Sequence, residues 1–165
     1  MATLAGVFIA FQISNYQETQ NEKEFTVGLL SESAYQIELE TKYVNERYPS
    51  NLESVQNDEE LEKLIEARSF HGVISTDILL NSTLLSKFGS PYATTIHSTN
   101  RELEEMRVSI NSPAINPNQK LALIESYIQK MSDMRELLLL EILYIEGDIS
   151  CKEVEKEYNR LQQVR

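Results

Sequence analysis

An all-α fold is what this sequence predicts, on three observations. Apolar residues step by three and four over long stretches, most clearly at Leu121, Ile124, Ile128, Met131, Leu138, Ile142 and Ile145, the pattern of one seam of a bundle helix. No segment alternates apolar and polar residues as a half-buried strand would. Only five glycines are present, with no tryptophan, which fits helices joined by few tight turns. The implied architecture is an elongated helical bundle in which long N- and C-terminal helices pack antiparallel with short helices between them. At 165 residues and 41% hydrophobic content the chain suffices for one domain with a core, spanning 1–165 without an interdomain linker.

The first element is an apolar opening, 1–13, that continues as a long helix over 14–48. Leu4, Val7, Phe8, Ile9, Phe11 and Ile13 are apolar on every side of a helix, and no charged residue precedes Glu18. Such a segment must be buried somewhere. It is too short to cross a bilayer, which takes roughly 20 apolar residues. From Gln12 to Glu24 the chain turns polar, as where a helix leaves a membrane, with Tyr16 at the interface. The acidic flank favours the exported side, because lysine and arginine mark the cytoplasmic one. Beyond it, Leu30, Ala34, Ile37, Val44 and Tyr48 recur at helical spacing, with Phe25 and Leu29 on a neighbouring track. Gly28 costs this helix about 1 kcal/mol relative to alanine.

Pro49 closes the first helix, and 49–116 reads as short helices. Ser50 with Glu53, and Asn57 with Glu60, have the spacing of N-terminal caps; the second opens a helix from Asp58 to Arg68. Ile78 to Phe88 forms another, ending at Gly89. Ser90 before Pro91 is a cap with proline at the first helical position, followed by Tyr92, Ile96, Leu103, Met106 and Ile110 on one face. Asn116-Pro117-Asn118-Gln119 is the best-formed helix start in the chain and opens the C-terminal helix, 117–163. Gly147, and Ser150 with Glu153, mark a kink or restart near 147.

The stretch Gly6-Val7-Phe8-Ile9-Ala10-Phe11-Gln12-Ile13-Ser14-Asn15-Tyr16-Gln17-Glu18 resembles the membrane-exit motif of a large family of uncharacterised bacterial single-span proteins. That family has a glycine and aliphatic span, an alanine-leucine-glutamine turn, a pair of asparagines, a tryptophan and an asparagine-glutamate. Gly6, Ala10, Gln12, Asn15 and Glu18 match; Ser14, Tyr16 and Gln17 depart mildly. The resemblance covers about a tenth of the chain. It implies that the sequence begins inside a spanning helix, that the anchor comprises Leu4, Val7, Phe8, Ile9, Phe11, Ile13 and Tyr16, and that the domain stands on the periplasmic side of a bacterial inner membrane. It implies no activity.

A net charge of -11 and a pI near 4.7 argue against nucleic acid and against docking on anionic lipid, both of which need basic patches. A lone Cys151 allows no intramolecular disulfide. No cofactor or metal is expected: neither His71 nor His97 has a glutamate three or four residues away in the arrangement that builds metal sites on helices. Cys151 has no histidine nearby in sequence, Ser98 beside His97 makes no triad by adjacency, and no phosphate-binding fingerprint exists. Glu62 with Glu66 and Glu153 with Glu157 read as solvated pairs.

The function expected is a membrane-anchored, non-enzymatic helical module that binds another protein or itself. The alternative is a ligand-sensing or enzymatic helical domain with a polar pocket involving His71, His97 or Arg101; a third reading is a cytoplasmic bundle whose first residues cap its own core. Leu139, Leu140 and Leu143 lie broadly opposite the seam and form a second apolar face. That face is expected to be covered by Leu61, Leu64, Leu80 and Leu84 of the middle helices, or else to be an interaction face.

Overall fold

The computed structural model describes residues 2–47 and 82–163; the described residues are helical with no strand, and the all-α bundle is the fold. The helices are α1 (Ala2–Arg47), α2 (Ser82–Phe88), α3 (Thr94–Ile110), α4 (Pro117–Glu146) and α5 (Cys151–Gln163). The expected helix over 58–68, the residues 78–81, Tyr48 and Pro49 lie outside the described residues.

The bundle is built on α4. Its start is set by Asn116, whose Oδ1 accepts the Gln119 N–H at 2.9 Å, with Pro117 at the first helical position where no N–H is needed. Ile124, Tyr127, Met131, Met134, Leu138, Glu141 and Ile145 are all buried. Their alternation of three and four is a heptad seam. Ile124, Met131, Leu138 and Ile145 are as the apolar pattern reads. Leu121, Ile128 and Ile142 lie on the flank, half-buried; Tyr127 and Glu141 hold the seam places beside Ile128 and Ile142, and Met134 fills the seam between Met131 and Leu138.

Helix α1 presents a matching face of Thr26, Leu30, Ser33, Ala34, Ile37 and Val44. It runs antiparallel to α4, as two levels fix: Glu38 meets Arg135 at 2.7 Å, and Gln20, Lys23, Glu24 and Val27 lie beside Glu146 and Asp148. Helix α3 flanks the other side of α4, also antiparallel, with Ser90 beside Glu141 and Glu102 paired with Lys130. It buries Ile96, Thr99, Leu103 and Ile110.

The C-terminal 117–163 stretch is two helices rather than one kinked rod. Gly147 takes φ 91°, the left-handed region, and the Asp148 N–H bonds the Leu143 carbonyl at 2.9 Å while the Gly147 N–H bonds that of Tyr144 at 3.1 Å. These are the paired bonds of a Schellman stop. The chain restarts at Ser150, where the Glu153 carboxylate accepts from both the Ser150 N–H and its hydroxyl at 2.7 Å, so the glutamate reaches back to the cap as the spacing predicts while the Glu153 N–H goes to the Ser150 carbonyl at 3.0 Å rather than to its hydroxyl. Helix α5 then folds back, burying Val154 and Leu161 and stacking Tyr158 on Tyr92 with ring centroids 4.8 Å apart.

The break near Gly147 decides how far α1 is supported. At about 1.5 Å per residue α1 is roughly 69 Å long, but its partner turns back level with residues 20–27. Every residue from Phe11 to Thr19 is exposed, so this part of the helix stands clear of the bundle.

Ser33 is completely buried and its hydroxyl has no hydrogen-bond partner. An unpaired buried polar group costs about 1–3 kcal/mol. Ser33→Ala is therefore expected to raise unfolding stability by about 1 kcal/mol in urea titration, whereas truncating the fully buried Leu138 to alanine should lower it by about 2–5 kcal/mol. A Ser33→Ala protein less stable than the parent would contradict the packing described for this seam.

Candidate functional site

Three places collect polar or exposed chemistry, and each follows from the helix geometry. The first is the turn between α2 and α3. Glu141 projects from the α4 seam, only 3% exposed. Its Oε2 accepts the Ser90 N–H at 2.7 Å and its Oε1 accepts the Ser90 hydroxyl at 2.5 Å. The Ser90 Oγ in turn accepts the Tyr92 N–H at 3.0 Å. Ser90 thus caps a tight turn over Pro91–Ala93, and α3 begins only at Thr94, later than the Ser-Pro signal suggests.

Gly89 is what lets this turn reach α4. A Cβ there would stand 2.5 Å from the Leu85 carbonyl oxygen, 2.8 Å from the Ala93 Cβ and 3.2 Å from Glu141 Oε2. The glycine serves close approach at the end of α2, and among the described residues only Gly147 uses the left-handed backbone. Burial pushes the Glu141 carboxyl above its ordinary range, opposed by the two Ser90 hydrogen bonds. The one hydroxyl on this carboxylate is that of Ser90, itself only 6% exposed, and both carboxylate oxygens are engaged in holding the turn.

The second place is the groove where α1 and α4 run side by side. It widens into two open concavities, one of about 510 Å³ between residues 20–27 and 146–148, the other of about 360 Å³ lined by Glu38, Thr41, Lys42, Asn45, Ser132 and Arg135. Neither is lined by His97 or Arg101. His97 is half-exposed on α3, and Arg101 is spent on an exposed pair with Glu105 at 3.1 Å. His71 lies outside the described residues. Among the described residues no three His, Cys, Asp or Glu side chains converge on a point. Cys151 is an exposed thiol at the start of α5. Tyr127, buried in the core with Glu40, Glu104 and Arg107 around it, has its phenol pushed far up by burial.

The third place is the exposed apolar surface. Phe11, Ile13 and Tyr16 are exposed; Leu4, Val7, Phe8 and Ile9 sit on the same helix, their side chains outside the described residues. No helix among the described residues is long and apolar enough to cross a membrane. On α4, Leu139 and Leu143 remain 37% and 38% exposed, while Leu140 packs partly against the core. Leu84 is half-buried; Leu61, Leu64 and Leu80 lie outside the described residues. A further stripe, on the outer face of α1, comprises Phe25, Tyr35, Leu39 and Tyr43. Sequence reasoning placed Phe25 on a separate track but assigned the stripe no role; its spacing of Phe25, Tyr35 and Leu39 was the available signal.

Comparison with protein-family models, with curated proteins and with solved structures finds no match to this chain.

The raised Glu141 carboxyl has a definite consequence for stability. Below about pH 4.5 the group is protonated in both states and its contribution to folding is fully present. As pH rises, the unfolded chain ionises first, and that contribution is lost through the higher folded value. Glu141→Gln keeps an acceptor for the Ser90 N–H and cannot ionise. The stability of Glu141→Gln relative to the parent should therefore grow as pH rises from about 4 toward 7 in paired urea titrations. A difference that does not change with pH would contradict the assignment. Leu143→Ala, at a site 38% exposed, should cost well under the roughly 2–5 kcal/mol of a buried leucine.

Proposed function

We propose that this protein is a non-enzymatic helical interaction module, tethered to a membrane through the apolar start of α1 and presenting its bundle to a protein partner. The observation that carries this reading is the run from Phe11 to Thr19, helical yet exposed on every side. A helix that leaves its own bundle with Phe11 and Ile13 uncovered needs another apolar environment. Tyr16 stands at the point where the side chains turn polar, as at a membrane interface. The ten residues from Leu4 to Ile13 are about 15 Å of helix, half the hydrocarbon thickness of a bilayer. The similarity of Ala10 to Glu18 to a membrane-exit motif supports the same reading, with the bundle on the periplasmic side of a bacterial inner membrane. The acidic bundle, at -11 overall, is suited to a basic protein surface and unsuited to nucleic acid.

A ligand-binding or enzymatic role draws little support from the site geometry. The concavities between α1 and α4 are open to solvent and the buried carboxylate is consumed by Ser90.

Cell fractionation tests the tether. The full-length protein is expected to pellet with membranes through washes in high salt, to be released by detergent, and to be digested when protease is added to intact spheroplasts. Phe8→Glu with Phe11→Glu should move it to the supernatant, while leaving the thermal unfolding of the bundle unchanged because the helix from Phe11 to Thr19 is exposed and α4 supports α1 only from about residue 20 onward. Recovery of the parent protein in the soluble fraction would overturn the proposal.

A further inference from the structure

The outer face of α1 is a feature that neither the seam nor the tether uses. Phe25, Gly28, Glu32, Tyr35, Leu39 and Lys42 follow one another at intervals of three and four, a second heptad track on the side of the helix turned away from α4. Its large apolar members are exposed, from 38% at the adjoining Tyr43 to 58% at Tyr35. The track runs for about 27 Å from Phe25 to Tyr43 at 1.5 Å per residue. Scattered exposed hydrophobes are ordinary, but a row at constant helical register is the form of a helix-binding face.

Gly28 lies within this row. A Cβ placed there meets nothing within 4 Å, so the bundle's own packing does not require a glycine. Its presence in a helix interior costs about 1 kcal/mol relative to alanine. A helix approaching from outside would find at Gly28 the one position where its backbone or a large side chain can come close.

The charges around the row select the occupant. Glu32 is in the track, and at 100° per residue Glu18 and Glu24 fall on its two borders. None of these three carboxylates has a cationic partner among the described residues, in contrast to Glu22 with Lys87 and Glu38 with Arg135. A second copy held in the same membrane would have to align parallel, setting Glu32 against Glu32, which is repulsive. An anionic lipid surface is repelled by the same carboxylates.

We propose that the outer face of α1, from Phe25 to Tyr43, is the docking site for an amphipathic helix of a partner protein whose apolar ridge is bordered by lysine or arginine. The ridge packs on Phe25, Tyr35 and Leu39 and approaches closest at Gly28; its basic residues meet Glu18, Glu24 and Glu32. This deepens the interaction-module reading and takes from the tether only the parallel alignment that disfavours a second copy; membrane pelleting and helix docking are separate measurements that can fail separately.

The test uses full-length protein and a labelled synthetic peptide of about four heptads, leucine at a and d and lysine at e and g, with a glutamate-flanked peptide of the same core as control. Fluorescence anisotropy is expected to show saturable binding of the basic peptide and at least tenfold weaker binding of the acidic one. Leu39→Glu and Tyr35→Glu should each weaken the basic peptide at least tenfold, and Gly28→Leu should do likewise by closing the approach. Each variant is checked for unchanged circular dichroism; these side chains are exposed, so the fold should persist. The glutamate substitutions separate docking from charge attraction, because added negative charge strengthens a purely electrostatic capture. Binding that is unchanged or tightened by Leu39→Glu, equal binding of the two peptides, or a parent dimer in sedimentation that Leu39→Glu converts to monomer would each overturn the proposal.

Discussion

Two helices of 46 and 30 residues packed antiparallel along one seam cannot be covered together over their whole length, and that mismatch governs the rest of the molecule. The register is pinned by apolar layers at Leu30, Ile37 and Val44 on α1 and at Met131, Leu138 and Ile145 on α4. With that register fixed, the place where α4 stops decides where α1 loses its support. The stop is Gly147, held by hydrogen bonds back to Leu143 and Tyr144. Beyond it α1 runs on past the end of α4, and every residue from Phe11 to Thr19 is exposed. The functional reading thus rests on a turn at the opposite end of the sequence from the segment it exposes.

The seam is not purely apolar, and its polar members carry different costs. Thr26 is buried but bonds its hydroxyl to the Glu22 carbonyl at 2.7 Å, one turn back, so it costs little. Ser33 has no such partner. Glu141 is the most expensive, a carboxylate taken out of water, and its two bonds to Ser90 offset part of that cost. In return they fix where the turn before α3 lands on α4, which sets the register of α3 along the bundle. The surface ion pairs add little by comparison, since exposed pairs are worth about 0–1 kcal/mol each.

Much of this was legible in the residues, and the misses share a cause. The helix starts at Asn116-Pro117 and Ser150 with Glu153 are as the capping chemistry predicts, because a cap is a local interaction that needs no knowledge of the partner. Apolar spacing alone gives the α4 seam Ile128 and Ile142 in place of Tyr127 and Glu141 and leaves out Met134. An apolar count cannot rank a half-covered isoleucine below a buried glutamate, since the choice depends on where Ser90 arrives from 51 residues away. Gly89 ends α2 as its type predicts, and its further role, room for Glu141, is set by a distant contact. Of the surface, the exposed run after Phe11 followed from the polar stretch of sequence, whereas the outer row on α1 became visible only once the seam had claimed the opposite face.

Hydrogen exchange on the full-length protein in water tests the central claim most directly. If the α1–α4 seam is the cooperative core and α1 outruns it, amides from Leu30 to Val44 and from Ile124 to Ile145 should exchange slowest and at a common rate set by global unfolding, while those from Phe11 to Thr19 exchange far faster through local fraying. Protection of Phe11 to Thr19 equal to that of the seam would show that this part of the helix is packed against the protein, and would contradict the account.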